Sequence, residues 1–190
     1  MKFVVGLGNP GAQYAGTRHN VGFEVVAELS QRWQAGQPQR KFQADIREAF
    51  LPSGKVLLVT PLTFMNRSGE SVQQIVRFYQ AALEDVVVIC DDMNLPTGTL
   101  RWRVGGSSGG QKGLADILLR LGTEQVPRLR MGVGRPPGRT DPAAWVLSRF
   151  RSEESEEVAL MTRLAADSVE CWVSEGIVST MNKFNCSVDK

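Results

Sequence analysis

The chain carries a single histidine, His19, in the polar run Thr17-Arg18-His19-Asn20. An imidazole can take up and return a proton near neutral pH, which makes it a candidate general base. To act as one it needs a carboxylate that fixes its tautomer, and polar groups that hold a carbonyl or a water. Asp91 follows the apolar run VVVIC, Asn9 follows the first apolar run, and Asn66 lies in Thr63-Phe64-Met65-Asn66. Together they offer one imidazole, one carboxylate and two carboxamides. Each also has a plainer role: His19 as a solvated loop residue, Asn66 as a helix cap, Asp91 as a turn former. One histidine and three scattered cysteines (Cys90, Cys171, Cys186) form no metal-ligand cluster, so no metal site is expected.

Two glycine-rich stretches invite phosphate chemistry, and both fail on context. Gly6-Leu7-Gly8-Asn9-Pro10-Gly11 satisfies G-x-G-x-x-G behind an apolar strand. The dinucleotide fingerprint requires a helix to start at the third glycine. Here AQYAGTRHN follows, helical spacing begins only at Val21, and Pro10 removes a backbone donor. The later GGSSGGQKG places Gly113 after Lys112, where a P-loop needs Ser or Thr to hold magnesium. Both loops remain able to bring backbone close to a ligand.

The elements that must position these residues follow from periodicity. Residues 4–7 read as a buried strand, and Val21, Val25, Val26, Leu29 and Trp33 fall at helical spacing. A loop over 34–40 precedes strands over 41–50 and 55–60, joined by a turn at Pro52-Ser53-Gly54. Val72, Ile75, Val76 and Tyr79 mark a second helix. Val86 to Cys90 reads as a central strand, and 100–104 as a half-exposed one. Residues 114–121 read as a short helix, 129–133 as a strand and 134–142 as a Gly/Pro/Arg loop. A long helix over 153–176 turns Val158, Met161, Leu164, Ala165, Cys171 and Trp172 inward. Strands alternating with helices predict one three-layer α/β/α domain over 1–190, with a mostly parallel, mixed central sheet. In such sheets ligands collect outside the carboxyl ends of the strands, where Asn9, Asn66 and Asp91 all fall.

Charge is distributed unevenly. Residues 101–151 carry ten basic and three acidic side chains, whereas 152–190 carry three basic and eight acidic. A local positive field on a chain of net charge +2 suits a polyanionic ligand. No apolar run reaches the roughly 18 residues of a membrane span, and the opening run is too short for a signal peptide. With unpaired cysteines, a cytoplasmic protein with reduced thiols is expected.

The phrases VGLGNPGAQYAGTRHNVGF, TPLTFMNRSGESV, DDMNLPTGTLRWRVGGSSGGQKGL and RLRMGVGRP resemble the signature blocks of bacterial peptidyl-tRNA hydrolases, in order and spacing, from about residue 2 to 185. The resemblance implies hydrolysis of the ester between a peptide and the 3′-terminal ribose of tRNA, by a monomer needing no metal or organic cofactor. It makes His19 the base that activates a water, Asp91 its partner, and Asn9 a third member of the catalytic group. Tyr14, Met65, Asn66, Gln111 and Lys112 take substrate-binding positions, and Arg103 and Arg130 those that grip the tRNA 5′-phosphate. The chain departs from the family at Gln111-Lys112, where His-Asn is usual. The alternative is a non-catalytic RNA-binding relative of splicing-factor type. Retention of His19, Asp91, Asn9 and Asn66 together favours the enzyme.

Overall fold

The apolar run that opens the chain forms β1 (Lys2–Gly6), and its side chains divide between two cores. In the computed structural model, which describes residues 1–185, Val4 faces one core while Phe3 and Val5 face the other. β4 (Gly54–Pro61) and β5 (Val86–Asp92) flank β1 in parallel and divide in the same way. All seven residues of β5 are buried, as its continuous β-branched run requires. Helices α1 (Val21–Arg32) and α5 (Ser155–Glu175) cover the first core; α2 (Ser68–Tyr79) and α3 (Lys112–Leu121) cover the second. The result is an α/β/α sandwich.

Adding β2 (Gln39–Lys41), β3 (Ala44–Leu51), β6 (Leu100–Arg103) and β7 (Arg128–Gly132) gives a seven-stranded sheet of order β2-β3-β4-β1-β5-β7-β6. The four strands β4, β1, β5 and β7 run parallel, and β3 and β6 are antiparallel to their neighbours. The parallel carboxyl ends therefore open on one side of the sheet. That side receives the turns carrying Asn9 and Asn66 and the end of β5 carrying Asp91.

Two local expectations need correction, the strand over 41–50 and the inward face of Leu164, and two further short helices lie outside the expected elements. The strand expected over 41–50 is interrupted at Phe42 and Gln43, both at positive φ (54° and 56°), which turn the short edge strand β2 back onto β3. Residues 134–142 are followed by an unforeseen helix, α4 (Pro142–Val146), with Asp141 accepting from the Ala144 amide as its cap. The long helix stops at Glu175, because Gly176 (φ 84°) breaks the ladder and α6 (Ile177–Phe184) restarts it. Leu164 is 38% exposed: the inward stripe runs through Met161, Ala165, Val169 and Trp172, one residue aside. Cys90 and Cys171 are free thiols, and Cys186 lies outside the described residues.

One close approach sets where His19 sits. A β-carbon built on Gly22, in the first turn of α1, falls 2.5 Å from the Leu7 amide nitrogen and 2.6 Å from the Ile89 carbonyl oxygen. Only hydrogen at that position lets α1 start against the ends of β1 and β5. In an open helix, Gly to Ala stabilises by up to about 1 kcal/mol through propensity. Here overpacking against fixed backbone costs about 1–3 kcal/mol, and the clash wins. Gly22→Ala is expected to lower the denaturant midpoint; a raised midpoint would mean that the helix can move away freely.

Candidate active site

Each strand end delivers one segment to the opening above the sheet. Beyond β1, the Leu7 amide donates to the Ile89 carbonyl (2.9 Å), so Asn9 emerges beside the end of β5. β5 ends in Asp91 and Asp92 themselves. Beyond β4 a single 3-10 turn, Met65–Arg67, presents Met65 and Asn66. A second 3-10 turn, Arg18–Asn20, carries His19 into the first turn of α1. The glycine-rich loop before α3 supplies Gln111 and Lys112. Together these surround a cavity of about 560 Å³ whose far wall is α4, through Pro142 and Val146, with Leu147 just after it.

At its floor His19 Nδ1 lies 2.8 Å from Asp91 Oδ1, and both residues are buried. An ionised carboxylate only accepts, so Nδ1 carries the proton and Nε2 keeps its lone pair. Nε2 has no hydrogen-bond partner among the described residues, and His19 is one of the residues that line the cavity. Asp91 belongs to the strand itself, so the turn-former role does not apply. Behind it, burial pushes the Cys90 thiol up, helped by the charges of Asp91 and Asp92. That sulfur stays protonated and is no competing nucleophile.

A closed ring of contacts holds this pair. Asp91 Oδ1 also accepts from Gln111 Nε2 (3.0 Å), which in turn lies 3.1 Å from Met65 Sδ. The Met65 amide donates to Asn9 Oδ1 (2.8 Å). Asn9 and Asn20 exchange two hydrogen bonds: the Asn9 amide to Asn20 Oδ1 (2.9 Å) and Asn20 Nδ2 to the Asn9 carbonyl (3.0 Å). The peptide link from Asn20 back to His19 closes the circuit. Buried polar groups hold a unique geometry only when all are satisfied, and in this ring six residues from five segments satisfy one another in turn.

The expected site residues divide by what they leave open. Asn66 is exposed in the cavity wall and caps no helix, since no side-chain cap bond is made at the start of α2. Lys112, first residue of α3, is exposed and is the only Lys or Arg among the described lining residues. Gln111 lines the cavity but is buried, with both ends of its carboxamide engaged inside the protein. Tyr14 is not part of the lining; it stands behind Phe64, edge to face at 6.5 Å, and Phe64 is the aromatic that reaches the cavity. Arg103 is exposed on β6, whereas Arg130 is paired with Asp92. Arg128, counted in the basic segment, is buried and donates to the carbonyls of Val126, Gly106, Ser107 and Glu124, pinning the glycine-rich loop.

Sequence reasoning passed over Asn20 and Arg18. Asn20 was visible in the polar run but nothing marked Asn9 as its partner. Arg18 is fully buried, binds both carboxylate oxygens of Glu154 (2.9 and 2.7 Å) and sits over Trp145 (3.9 Å to the ring centroid) and Phe150 (4.5 Å). It thereby ties α4, the far wall of the cavity, to the residue next to His19. No group of three or more His, Cys, Asp or Glu among the described residues is placed to hold a metal ion. No described helix is long and apolar enough to cross a membrane.

A family model described as peptidyl-tRNA hydrolase matches residues 3–190. Among curated relatives, the peptidyl-tRNA hydrolase of Rhodopirellula baltica is 46% identical over 187 residues, covering 98% of each chain. That of Deinococcus deserti is 48% identical over 187 residues, covering 97% of this chain and 85% of its own. A crystal structure of peptidyl-tRNA hydrolase from Acinetobacter baumannii superposes with a TM-score of 0.91 at 34% identity, covering 98% of this chain and 95% of that one. A peptidyl-tRNA hydrolase in complex with N-propanol gives a TM-score of 0.91 at 33% identity, with the same coverage.

Proposed function

Because the chain belongs to the peptidyl-tRNA hydrolase family, we propose that it cleaves the ester between a peptide and the 3′-terminal ribose of tRNA, with His19 as general base. The observation that carries this reading is the His19–Asp91 pair, with Nε2 left unpartnered at the cavity floor. Nε2 takes a proton from a water as its oxygen bonds to the ester carbonyl carbon. The imidazolium so formed is stabilised by Asp91 across the 2.8 Å contact. Collapse of the tetrahedral intermediate breaks the bond to the ribose oxygen, which takes the proton back from Nε2. Charge on the carbonyl oxygen is met by neutral or cationic donors at the cavity wall, Asn66 and Lys112. The steps draw on side chains and water alone. Asn9 keeps the wall in register through Met65, and Phe64 and Met65 offer apolar surface to the peptidyl end.

The tRNA body is read through phosphate. Arg103 is exposed on the edge strand, in register with Arg128 and beside the Arg101–Arg130 pair. Arg130 shares its charge with Asp92, so Arg103 is the cleaner probe. The protein acts in this reading as a monomeric, cytoplasmic single domain. The relatives reported above are named as hydrolases, which leaves a non-catalytic RNA-binding role without support.

The test is turnover of a peptidyl-tRNA, beside a peptidyl ester of a short nucleotide that lacks the tRNA body. The native chain should cleave both. Absence of turnover on peptidyl-tRNA would overturn the reading. Arg103→Ala should weaken binding of different tRNAs about equally and make the salt slope shallower by roughly one counterion. The short ester should be cleaved as before. A changed preference among tRNAs with an unchanged salt slope would contradict the phosphate role.

A further inference from the structure

Gln111 has no unused hydrogen-bonding end. Its Oε1 accepts from the Leu114 amide (2.6 Å), which makes it the cap of α3. An amide nitrogen can only donate, so this contact fixes which end of the carboxamide is oxygen. The other end must be NH2, and it is aimed at two acceptors, Asp91 Oδ1 and Met65 Sδ. Glutamine is not among the preferred helix caps, which are Ser, Thr, Asp and Asn. What its longer side chain adds is reach: a cap that also touches the carboxylate behind the imidazole.

We infer that Gln111 is a positioning residue for catalysis, setting both the orientation of Asp91 and the share of its charge that reaches His19. The inference rests on the general-base role of His19 proposed above. Oδ1 accepts from His19 and from Gln111 at once, at 2.8 and 3.0 Å. A second donor on that oxygen disperses the negative charge that stabilises the imidazolium. It also prevents the carboxylate from turning away from the ring. The remaining charged or titratable groups around the pair are Asp92 with Arg130, the Cys90 thiol on the same strand, Lys112 at the head of α3 and Asp141 ahead of α4. Arg18, next to His19 in the chain, is held by Glu154. None of them bonds to Asp91 Oδ1, so substitution of Gln111 isolates its contribution.

Gln111→Ser separates the two jobs of the side chain. Serine is a preferred cap and keeps the start of α3, yet it is too short to reach Asp91. Gln111→Leu removes both contacts. In Gln111→Ser the thermal transition should stay close to that of the native chain, KM should hold, and kcat on peptidyl-tRNA should fall roughly three- to tenfold. The acid limb of the rate profile should move to higher pH, because Asp91 then gives more of its charge to the imidazolium. Gln111→Leu should repeat the kinetic change with lower stability. Because His19 is the only histidine, its ring titration can also be followed by NMR without substrate. The midpoint in Gln111→Ser should rise by about half a pH unit to one unit.

An unchanged kcat, acid limb and titration midpoint in Gln111→Ser would reduce Gln111 to a cap and overturn the inference. A raised KM at unchanged kcat would make it a substrate contact and overturn it equally. The NMR arm does not depend on turnover. A native chain without activity, combined with the expected rise in midpoint, would therefore sink the functional reading while leaving the coupling of Gln111 to His19 intact.

Discussion

Replacing His19 by alanine is expected to lower kcat on peptidyl-tRNA by about 10²–10⁴-fold, the range that general base catalysis commonly contributes. No second imidazole exists in the chain to take over. The nearest basic group lining the cavity, Lys112, offers donors and no acceptor in its charged form. Fold and tRNA affinity should survive the change. The ring makes one internal hydrogen bond, to Asp91, and Gln111 continues to donate to that carboxylate after the imidazole is gone. Thermal unfolding and equilibrium binding of tRNA at fixed salt check those two controls. Added free imidazole, which can occupy the vacated space, should restore part of the rate. A variant retaining a tenth or more of native turnover would remove His19 from the chemistry.

The elements that bring His19 and Asp91 together were legible because they obey simple periods. Val21 to Leu29 shows helical spacing, and the short β-branched run VVVIC reads as a strand buried on both faces. Their order dictated a parallel sheet, and the carboxyl-end rule then put Asn9, Asn66 and Asp91 on one side of it. What was not legible is pairwise. Nothing in the spacing of Asn9 and Asn20 states that they exchange two hydrogen bonds. Nothing in an arginine count separates Arg128, buried on four carbonyls, from Arg103, open to solvent. α4 escaped because its five residues are too few for a period and its apolar wall faces a cavity rather than a core. Gln111 takes its substrate-binding position from the family resemblance, and no pattern in the sequence ties it to Asp91. Only the contacts show both ends of its carboxamide engaged inside the protein.

Asp91→Asn is expected to lower kcat on the order of 10²-fold, less than the loss of the imidazole itself, because only part of the general-base contribution is forfeited. The introduced carboxamide is close to the carboxylate in shape but carries no charge. Its orientation is chosen by Gln111: Nε2 needs an acceptor 3.0 Å away, so the new carbonyl oxygen takes the place of Oδ1. That oxygen also accepts from His19 Nδ1, and the catalytic tautomer is kept. What is lost is the anion facing the imidazolium. The charged ring becomes harder to form, so the acid limb of the rate profile should move to lower pH. This is opposite to the shift expected for Gln111→Ser, where the anion is freed rather than removed. Asp91→Ala deletes the acceptor as well, lets the ring rotate, and should cost more than Asp91→Asn at every pH. Profiles of kcat against pH for the three variants give the check. An acid limb that moves to higher pH in Asp91→Asn, or fails to move, would show that the charge of Asp91 does not act on His19.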